Sequence, residues 1–284
     1  MPRSRLTRRL LATTLPMAMI AATPSGVALA EPALVMNSYG LPGAIDTPTA
    51  QRLPDGTLGA TISKSDYAQR NNVVFQAMPR VTTVLRYSRI EGINDHNNMG
   101  HIWDRSFDLR FHALDEDREG WRPAVAIGLQ DFLGTGVYSG EYIVATKTLT
   151  PRLRASVGIG WGTLAGNPRV LDVDDTGGRP RVDDWFRGSP KPFASVAWQA
   201  TDRVTLVAEY SNDIYAADHR LRNGTIARVQ QGDDEPGSRL NFGAYYSFGN
   251  GYQAGIYTIG GDTIGAQFSF SLNPREAPYP SGLE

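Results

Sequence analysis

The sequence contains no cysteine, and it has no apolar run long enough to cross a membrane as a helix, since the run at 10–22 is too short and no later segment has eighteen consecutive apolar residues. The first absence excludes disulfides, cysteine nucleophiles and cysteine metal ligands, and we therefore expect no lipid anchor on an N-terminal cysteine. The second excludes spanning helices, which need about 20 consecutive, mostly apolar residues. A membrane-spanning structure in this chain would have to be built from strands.

An excess of charge of one sign is also missing. The 28 basic and 29 acidic residues nearly cancel, and the first 30 residues account for four arginines and no acid. The remaining 254 residues therefore carry 24 basic and 29 acidic side chains, a balance of −5. We expect no nucleic-acid partner, because nucleic acids are bound by basic surfaces.

The sequence has little that indicates catalysis. Neither G-x-S-x-G nor H-E-x-x-H occurs, and there are only four histidines. His96 and His101 lie with Asp95 and Asp104 in an Asn-rich stretch, which leaves an outer-membrane hydrolase as a third alternative. We predict that the protein is not an enzyme and uses no cofactor.

The first thirty residues have the features of a cleaved secretory signal peptide. Arg3, Arg5, Arg8 and Arg9 precede an apolar run at 10–22, and a small-x-small site ends at Ala30. The stretch at 7–11 also resembles a twin-arginine signal, but that route carries folded cargo, whereas a barrel must reach its membrane unfolded. We predict cleavage after Ala30.

Most of the chain after residue 56 alternates between apolar and polar residues. At 152–161, five apolar side chains from Leu153 to Trp161 occupy every second position. Successive side chains of a strand face opposite sides, so such a segment has one apolar and one polar face. The twelve segments are 57–66, 70–78, 81–90, 107–113, 122–131, 140–149, 152–161, 191–200, 203–211, 240–248, 251–260 and 263–272.

The links between these segments favour a membrane barrel over a soluble β-sandwich, which would also alternate. With both termini at one end, the links at that end are tight turns except for 114–121. At the other end, the links 91–103, 162–190 and 212–237 are long and polar. Short turns opposite long loops are typical of outer-membrane barrels, so we predict an all-β fold, a transmembrane antiparallel up-and-down β-barrel of about 12 strands.

The pattern divides the chain into a signal peptide at 1–30, an N-terminal periplasmic or plug segment at 31–56, the barrel at 57–272 and a Pro-rich tail at 273–284. In the N-terminal segment, Thr47 and Pro48 suit the first positions of a short helix. Because Pro54 would end such a helix within about two turns, we favour a simple turn before the first strand over a luminal plug.

The polar faces of the strands provide the candidate lumen. Inward charges would either pair across a narrow lumen or line a path for a hydroxyl-rich chain, and inward tyrosines would add flat surfaces for sugar stacking. We favour pairing, because twelve strands lie between filled eight-stranded barrels and open sixteen-stranded porins. The candidate lumen-lining residues are Arg86, Asp108, Arg110, His112, Gln130, Lys147, Arg152, Arg154, Glu209, Tyr245 and Tyr257.

One loop partly matches a calcium-binding template. Asp172, Asp174, Thr176, Gly177 and Asp183 fall at its positions one, three, five, six and twelve. Position twelve normally carries a bidentate Glu, and no amphipathic helices flank this loop. We therefore favour an acidic, solvated loop over a metal site.

Several segments are distinctive in their exact amino-acid sequence as well as in their apolar–polar alternation. They begin with YGLPGAIDTPTA at 39–50 and continue at 53–56, 105–109, 124–136, 139–142, 158–162, 273–275 and 278–283. Together they resemble the YjbH family of exopolysaccharide-biosynthesis outer-membrane proteins. Members of that family are commonly longer, with a second barrel-like region, and many begin as lipoproteins.

The resemblance implies an outer-membrane barrel that takes part in making or exporting surface polysaccharide, as a conduit or as a partner in an export assembly. It implies exopolysaccharide and export-machinery proteins as partners, while lipid and lipopolysaccharide follow from the predicted location. The alternative is a narrow general channel or a structural barrel unrelated to polysaccharide.

Overall fold

The computed structural model describes residues 33–92, 101–172, 179–180, 182, 185–220, 226–231 and 236–274; the predicted signal peptide and most of the tail lie outside these ranges. The twelve long strands are β1 (Leu58–Lys64), β2 (Ala68–Met78), β3 (Val81–Glu91), β4 (His101–Leu114), β5 (Ala124–Gly134), β6 (Gly140–Thr150), β7 (Leu153–Gly160), β10 (Lys191–Gln199), β11 (Val204–Tyr210), β14 (Leu240–Gly249), β15 (Tyr252–Ile259) and β16 (Thr263–Leu272). The four short strands are β8 (Val170–Asp172), β9 (Arg179–Pro180), β12 (Ala216–Arg220) and β13 (Ile226–Gln230).

The long strands form one antiparallel sheet that closes on itself. Each pairs with the long strands before and after it in the chain, and β1 pairs with β16 to complete the ring. Closure leaves no exposed sheet edge, a condition that the interior of a membrane imposes on any strand structure. The prediction of an all-β, up-and-down barrel of 12 strands is confirmed.

The two ends of the barrel differ in the links that they carry. The end that we call the short-turn end holds the start of β1, the end of β16 and the links 79–80, 115–123, 151–152, 200–203 and 250–251. The opposite end, which we call the long-loop end, holds the links 65–67, 92–100, 135–139, 161–190, 211–239 and 260–262.

The two longest links contain secondary structure that the sequence analysis did not predict. β12 and β13 form an antiparallel hairpin, and β8 pairs with β12 in parallel. β9 pairs with the long-loop end of β5, and a 3₁₀ turn at Gly162–Ala165 follows β7. In the part of the chain that the structure describes, no helix reaches the length and apolarity that crossing a membrane requires.

The outer wall of the barrel is apolar. Exposed aliphatic side chains predominate in its middle, and exposed tryptophan and tyrosine side chains lie toward both ends. An aliphatic band between two aromatic girdles is the surface that a transmembrane barrel presents to lipid. The aliphatic band includes Val73, Leu85, Val157, Val196 and Ile256, and the girdles include Tyr87, Trp103 and Tyr210 at the long-loop end and Trp198, Tyr246, Phe248 and Tyr252 at the short-turn end.

A charge placed in this band should disturb insertion. Ile256 lies in the middle of β15 and is 65% exposed, so its side chain would face hydrocarbon. We expect Ile256→Arg to destabilise the folded barrel by about 2–4 kcal/mol, measured as a lower urea midpoint and a smaller heat-modifiable band on gels. Ile256→Leu is the matched control and should behave as the wild type. Equal stability of the two variants would mean that this face does not contact lipid.

Candidate functional site in the barrel lumen

The lumen is filled by residues 35–52 of the N-terminal segment, which we call the plug. Residues 35–50 are all buried, and inward side chains from strands around the ring bind them. The structure therefore favours the luminal alternative over the simple turn. The helix suggested by Thr47 and Pro48 does not form, because the Thr47 amide and hydroxyl bind a carboxylate of the wall instead.

The plug runs up the lumen and back. Near the short-turn end, the Leu34 carbonyl accepts a hydrogen bond from the Gln253 side chain at 3.2 Å. At the tip of the plug, near the long-loop end, the Asp46 carboxylate accepts one from the Tyr215 hydroxyl at 2.5 Å. The returning arm then leads into β1 at the short-turn end. Both arms of the plug therefore pass through the same end of the barrel.

Local turn chemistry folds the plug. The Asn37 side-chain oxygen accepts hydrogen bonds from the amides of Tyr39 and Leu41 at 3.2 and 2.9 Å. Between them, Gly40 adopts a φ of +82°, and a Cβ there would stand 2.5 Å from the Cβ of Asn72 on the wall. Glycine meets both demands because it tolerates positive φ and allows close approach.

Glu209 of β11 anchors the tip. Its Oε2 accepts hydrogen bonds from the amides of Ile45, Asp46 and Thr47 at 2.9, 2.9 and 2.8 Å, and from the Thr47 hydroxyl at 2.8 Å. Its Oε1 accepts one from the Asn241 side chain at 2.9 Å. Three successive amides that converge on one oxygen form an anion-binding nest, and hydrogen bonds to a carboxylate are stronger than neutral ones. This carboxylate therefore fixes the tip to the wall.

Arg70 of β2 holds the same tip through charge and aromatic contacts. Its guanidinium lies 3.6 Å from the Asp46 carboxylate and donates to the Ser38 hydroxyl at 3.0 Å. Its Cζ lies 4.3 Å from the centre of the Tyr39 ring and 5.0 Å from that of Tyr138. Such cation–π contacts contribute about 0.5–2 kcal/mol each. The fully buried arginine is therefore both paired and stacked.

Arg86 of β3 and Asp108 of β4 form a buried ion pair on the inner wall. Two guanidinium nitrogens donate to the two carboxylate oxygens at 3.0 and 2.5 Å, and Asp108 also accepts the amide of Asp131 at 2.8 Å. Asp131 lies at an irregularity of β5 with a φ of +50°, and its own carboxylate accepts the Tyr138 amide at 3.0 Å. Removing one partner of such a pair costs about 3–5 kcal/mol, because the other charge is left buried and unpaired.

The candidate sugar-stacking tyrosines lie flat against the inner wall. Each is directly opposite a glycine on the neighbouring strand, and a Cβ at that glycine would stand less than 2.5 Å from the ring. An aromatic ring over a cross-strand glycine covers the wall without narrowing the lumen. With 1% and 3% exposure, the two tyrosines offer no face to a sugar while the plug is in place. The pairs of this kind are Tyr142 with Gly128, Phe193 with Gly158, Tyr245 with Gly255 and Tyr257 with Gly265.

Four further predicted residues also face the lumen. Arg110 and Gln130 donate to backbone carbonyls of the plug and of the link after β5. His112 lies near the short-turn end, with its Nε2 3.2 Å from the Asp115 carboxylate, and Arg154 is buried on the inner face of β7. Among these four residues, His112 has an acidic neighbour, whereas Arg110 is held by a backbone carbonyl of the plug.

Two of the predicted lumen residues are corrected by the structure. Lys147 lies on the outer face of β6, and its Nζ is 3.0 Å from the Glu116 carboxylate. The residues two positions before and after it are apolar, so strict alternation itself indicates the outer face. Arg152 lies in the exposed turn before β7, where it pairs with Asp202 at 3.3 Å. A turn residue continues the alternation of the sequence without sharing the geometry of the strand.

The metal and hydrolase alternatives fall largely outside the described residues. Asp172 ends β8, and the described part of the chain contains no group of three or more His, Cys, Asp or Glu side chains that could hold a metal ion. The choice of an acidic, solvated loop over a calcium site therefore stays a prediction. The candidate residues outside the described ranges are Asp95, His96, Asp174, Thr176, Gly177 and Asp183.

Sequence reasoning missed Asp46, Arg70, Asp131 and Tyr138, which surround the plug tip. A signal for Arg70 was present, because it begins the polar face of a predicted strand. Asp131 could not be found in this way, since the irregularity that turns its carboxylate inward breaks the period of two.

Asp213, in the link 211–239, is buried beside the plug tip. Burial raises the pKa of its carboxyl to about 7, and the nearby Asp46 adds to this. The Tyr215 amide, which donates to Asp213 at 2.8 Å, and the Arg70 charge oppose the shift. The folded protein therefore binds a proton here at pH values where an unfolded chain has lost it.

Comparison with known proteins gives one family match. A family model described as "Exopolysaccharide biosynthesis protein YbjH" matches residues 35–284. A curated relative, "Uncharacterized lipoprotein YjbH" of Escherichia coli (strain K12), is 26% identical over 230 residues, which cover 74% of this chain and 31% of that protein. The chain thus spans about a third of the length of this relative.

Two solved porins can be aligned with this chain in structure. The KdgM porin aligns with a TM-score of 0.40 and 5% identity, over 76% of this chain and 97% of that chain. The NanC porin aligns with a TM-score of 0.39 and 8% identity, over 76% and 98%.

The pKa of Asp213 gives a prediction for stability against pH. Because the folded-state pKa of about 7 lies above the usual 3.8, the contribution of Asp213 to the free energy of unfolding falls as pH rises from about 4 to about 7. Asp213→Asn, whose side-chain oxygen can still accept the Tyr215 amide, should lack this contribution. Urea unfolding at several pH values should show that, from about pH 4 to about pH 7, the free energy of unfolding of the variant rises by about 2–4 kcal/mol relative to that of the wild type. Parallel pH profiles would contradict the assignment.

The nest at Glu209 gives a second prediction. Glu209→Gln keeps the size of the side chain but removes the charge that the three plug amides bind. Hydrogen exchange at the amides of Ile45, Asp46 and Thr47 should become about tenfold faster or more, since hydrogen bonds to charged groups contribute about 1.5–3 kcal/mol. The amides of β1 are the internal control and should keep their protection. Unchanged exchange at the plug tip would show that the carboxylate is not the anchor.

Proposed function

The chain belongs to the exopolysaccharide biosynthesis family YjbH, and we propose that it serves exopolysaccharide production as a plugged outer-membrane barrel that acts as a partner in an export assembly. The observation that carries this proposal is the filled lumen. The proposed role involves no chemistry by the protein itself, and its proposed partners are export-machinery proteins, exopolysaccharide, and the lipid and lipopolysaccharide of the membrane.

The proposed location in the outer membrane is supported by the outer wall. Its aliphatic band and aromatic girdles suit a lipid bilayer, and its closed sheet satisfies the backbone hydrogen bonds that lipid cannot. Outer-membrane barrels place short turns in the periplasm and long loops outside the cell. In this orientation the plug enters from the periplasm and its tip lies near the cell-surface side.

The filled lumen favours an assembly partner over a conduit in the resting state. A polysaccharide chain would need continuous space and free hydroxyl-binding groups along the inner wall. Instead, Glu209, Arg70 and Arg86 are bound to the plug or to acidic partners, and the inward tyrosines are covered. Conduction through this barrel would require the plug to leave, with the loss of the contacts that pair these buried groups.

One feature favours a gated conduit as the second candidate. Both arms of the plug pass through the short-turn end, so the plug could be withdrawn as a loop without opening the sheet. A cavity of about 740 Å³ adjoins the plug at this end, with Leu34, Met36 and Leu53 on one side and Gln253 and Phe270 on the other. Space for movement is therefore present where withdrawal would begin.

Cross-linking the plug to the wall separates the two candidates. The chain has no cysteine, so a pair introduced at Ala50 and Thr146 would form the single disulfide. The Ala50 amide lies 2.7 Å from the Thr146 hydroxyl, which places the two positions within reach of each other. We expect the oxidised double variant to support unchanged exopolysaccharide output in the native host, because the assembly partner works with its plug in place.

Each single-cysteine variant is the matched control, and gel mobility with and without reductant measures the cross-link. Loss of polymer output only in the oxidised double variant, with recovery on reduction, would overturn the assembly role and establish a plug that must move. Normal polymer output in cells that lack the protein altogether would overturn both candidates.

A further inference from the structure

The outer wall carries a patch of charged and aromatic side chains near the long-loop end. It lies on the neighbouring strands β3 and β4, where Arg89 is directly opposite Trp103 and Tyr87 is directly opposite Arg105. All four side chains belong to the outward set, because the alternate residues of both strands are buried in the lumen. Two arginines therefore stand on the lipid-facing side of the barrel.

The residues of the patch are arranged by their depth in the membrane. The Tyr87 and Trp103 rings stack in parallel with their centres 4.7 Å apart, and each has an arginine as its cross-strand partner. One register step toward the middle of the membrane, Leu85 lies opposite Phe107. Reading from the rim inward, the wall thus presents cations and aromatic rings, then aliphatic and aromatic hydrocarbon. This is the order of headgroup, interface and acyl chain in a lipid.

A groove in the wall accompanies these residues. It has a volume of about 410 Å³ and is bounded by Leu85, Trp103, Arg105, Phe107 and Leu133. It lies beside the place where the pairing of β4 with β5 loses its register. An acyl chain could therefore occupy a preformed groove while its headgroup contacts the arginines.

The charges of the patch leave a cation available. Arg89 is paired with Glu91, and its other guanidinium nitrogen lies 3.3 Å from the Nδ1 of His101. Among the residues that the structure describes, Arg105 has no acidic partner. A charged residue on the lipid face costs little near the interface but several kcal/mol at the midplane, so its place near the rim is tolerable. A phosphate would supply the missing counter-charge, and a guanidinium binds phosphate with two parallel hydrogen bonds.

We infer that this patch is a binding site for lipopolysaccharide, with Arg105 on a lipid A phosphate, the Tyr87–Trp103 pair at the interface and an acyl chain in the groove. The outer leaflet is chosen because the patch lies at the long-loop end, so this part of the inference rests on the proposed orientation of the barrel. The match in charge and shape between the patch and the lipid would be the same in detergent, where the orientation of the barrel in a membrane plays no part.

The test is lipid binding to the folded, purified full-length chain in detergent, measured by native mass spectrometry. Bisphosphorylated lipid A should bind the wild type, and Arg105→Gln should weaken this binding by about tenfold, the effect of losing one charged hydrogen-bonding partner. Lys64→Gln is the matched control, because Lys64 is also an outward, exposed cation at the long-loop end, on β1. The control should bind lipid A as the wild type does, and all variants should show the heat-modifiable migration of a folded barrel.

Two probes identify the source of the phosphate. Dephosphorylated lipid A should bind wild type and Arg105→Gln equally weakly, and phosphatidylglycerol should bind more weakly than lipid A. Equal affinity of Arg105→Gln and wild type for lipid A would overturn the site. Binding of phosphatidylglycerol as tight as that of lipid A, with the same dependence on Arg105, would overturn the assignment to lipopolysaccharide. None of these readouts depends on polymer output, so failure of the proposed function would be seen separately.

Discussion

The polar inner wall is covered by the plug, and most of the structure depends on how the buried charges of that wall find partners. Arginine and acidic side chains point inward from several strands, and each would cost several kcal/mol if it were buried alone. Some pair within the wall, as Arg86 does with Asp108. Glu209 and Arg70 have no comparable partner on neighbouring strands and are satisfied by the plug. The plug is therefore part of the hydrogen-bonding system of the barrel rather than a separate obstruction.

This arrangement links the fold to the proposed role. Withdrawing the plug would leave the Glu209 carboxylate and the Arg70 guanidinium without their partners unless water or polymer hydroxyls replaced them. A gated conduit thus needs a source of free energy for opening, such as a partner that binds the withdrawn plug or a polymer that enters as it leaves. An assembly partner needs no such source. The outer wall, the rim and the short-turn end then become the surfaces on which other molecules can act.

The sequence predicted the strands well because alternation is a direct consequence of strand geometry. It located all twelve long strands, although β4 begins six residues before the predicted segment, because both faces of the strand at residues 101–106 mix apolar and polar side chains. It did not predict the short strands β8, β9, β12 and β13, because two to five residues carry too little pattern. The plug was the larger miss. Residues 35–50 lack periodicity, and their burial depends on a Glu209 that lies more than 160 positions away in the chain.

The candidate site shows where alternation stops being informative. Arg105 and Arg110 lie five residues apart on β4, so the period of two places them on opposite faces. Arg110 is bound to the plug, and by the same alternation Arg105 is a charge on the lipid face. Arg105 is tolerated on this face because it lies near the membrane interface, where its cross-strand partner is Tyr87 of the aromatic girdle rather than a residue of the aliphatic band. Arg152 shows the converse, since its parity is luminal while its position in a turn leaves it in solvent. In a membrane barrel the environment of a charged residue therefore depends on the face of the strand that carries it and on its depth in the membrane. The sequence predicts the face more readily than the depth.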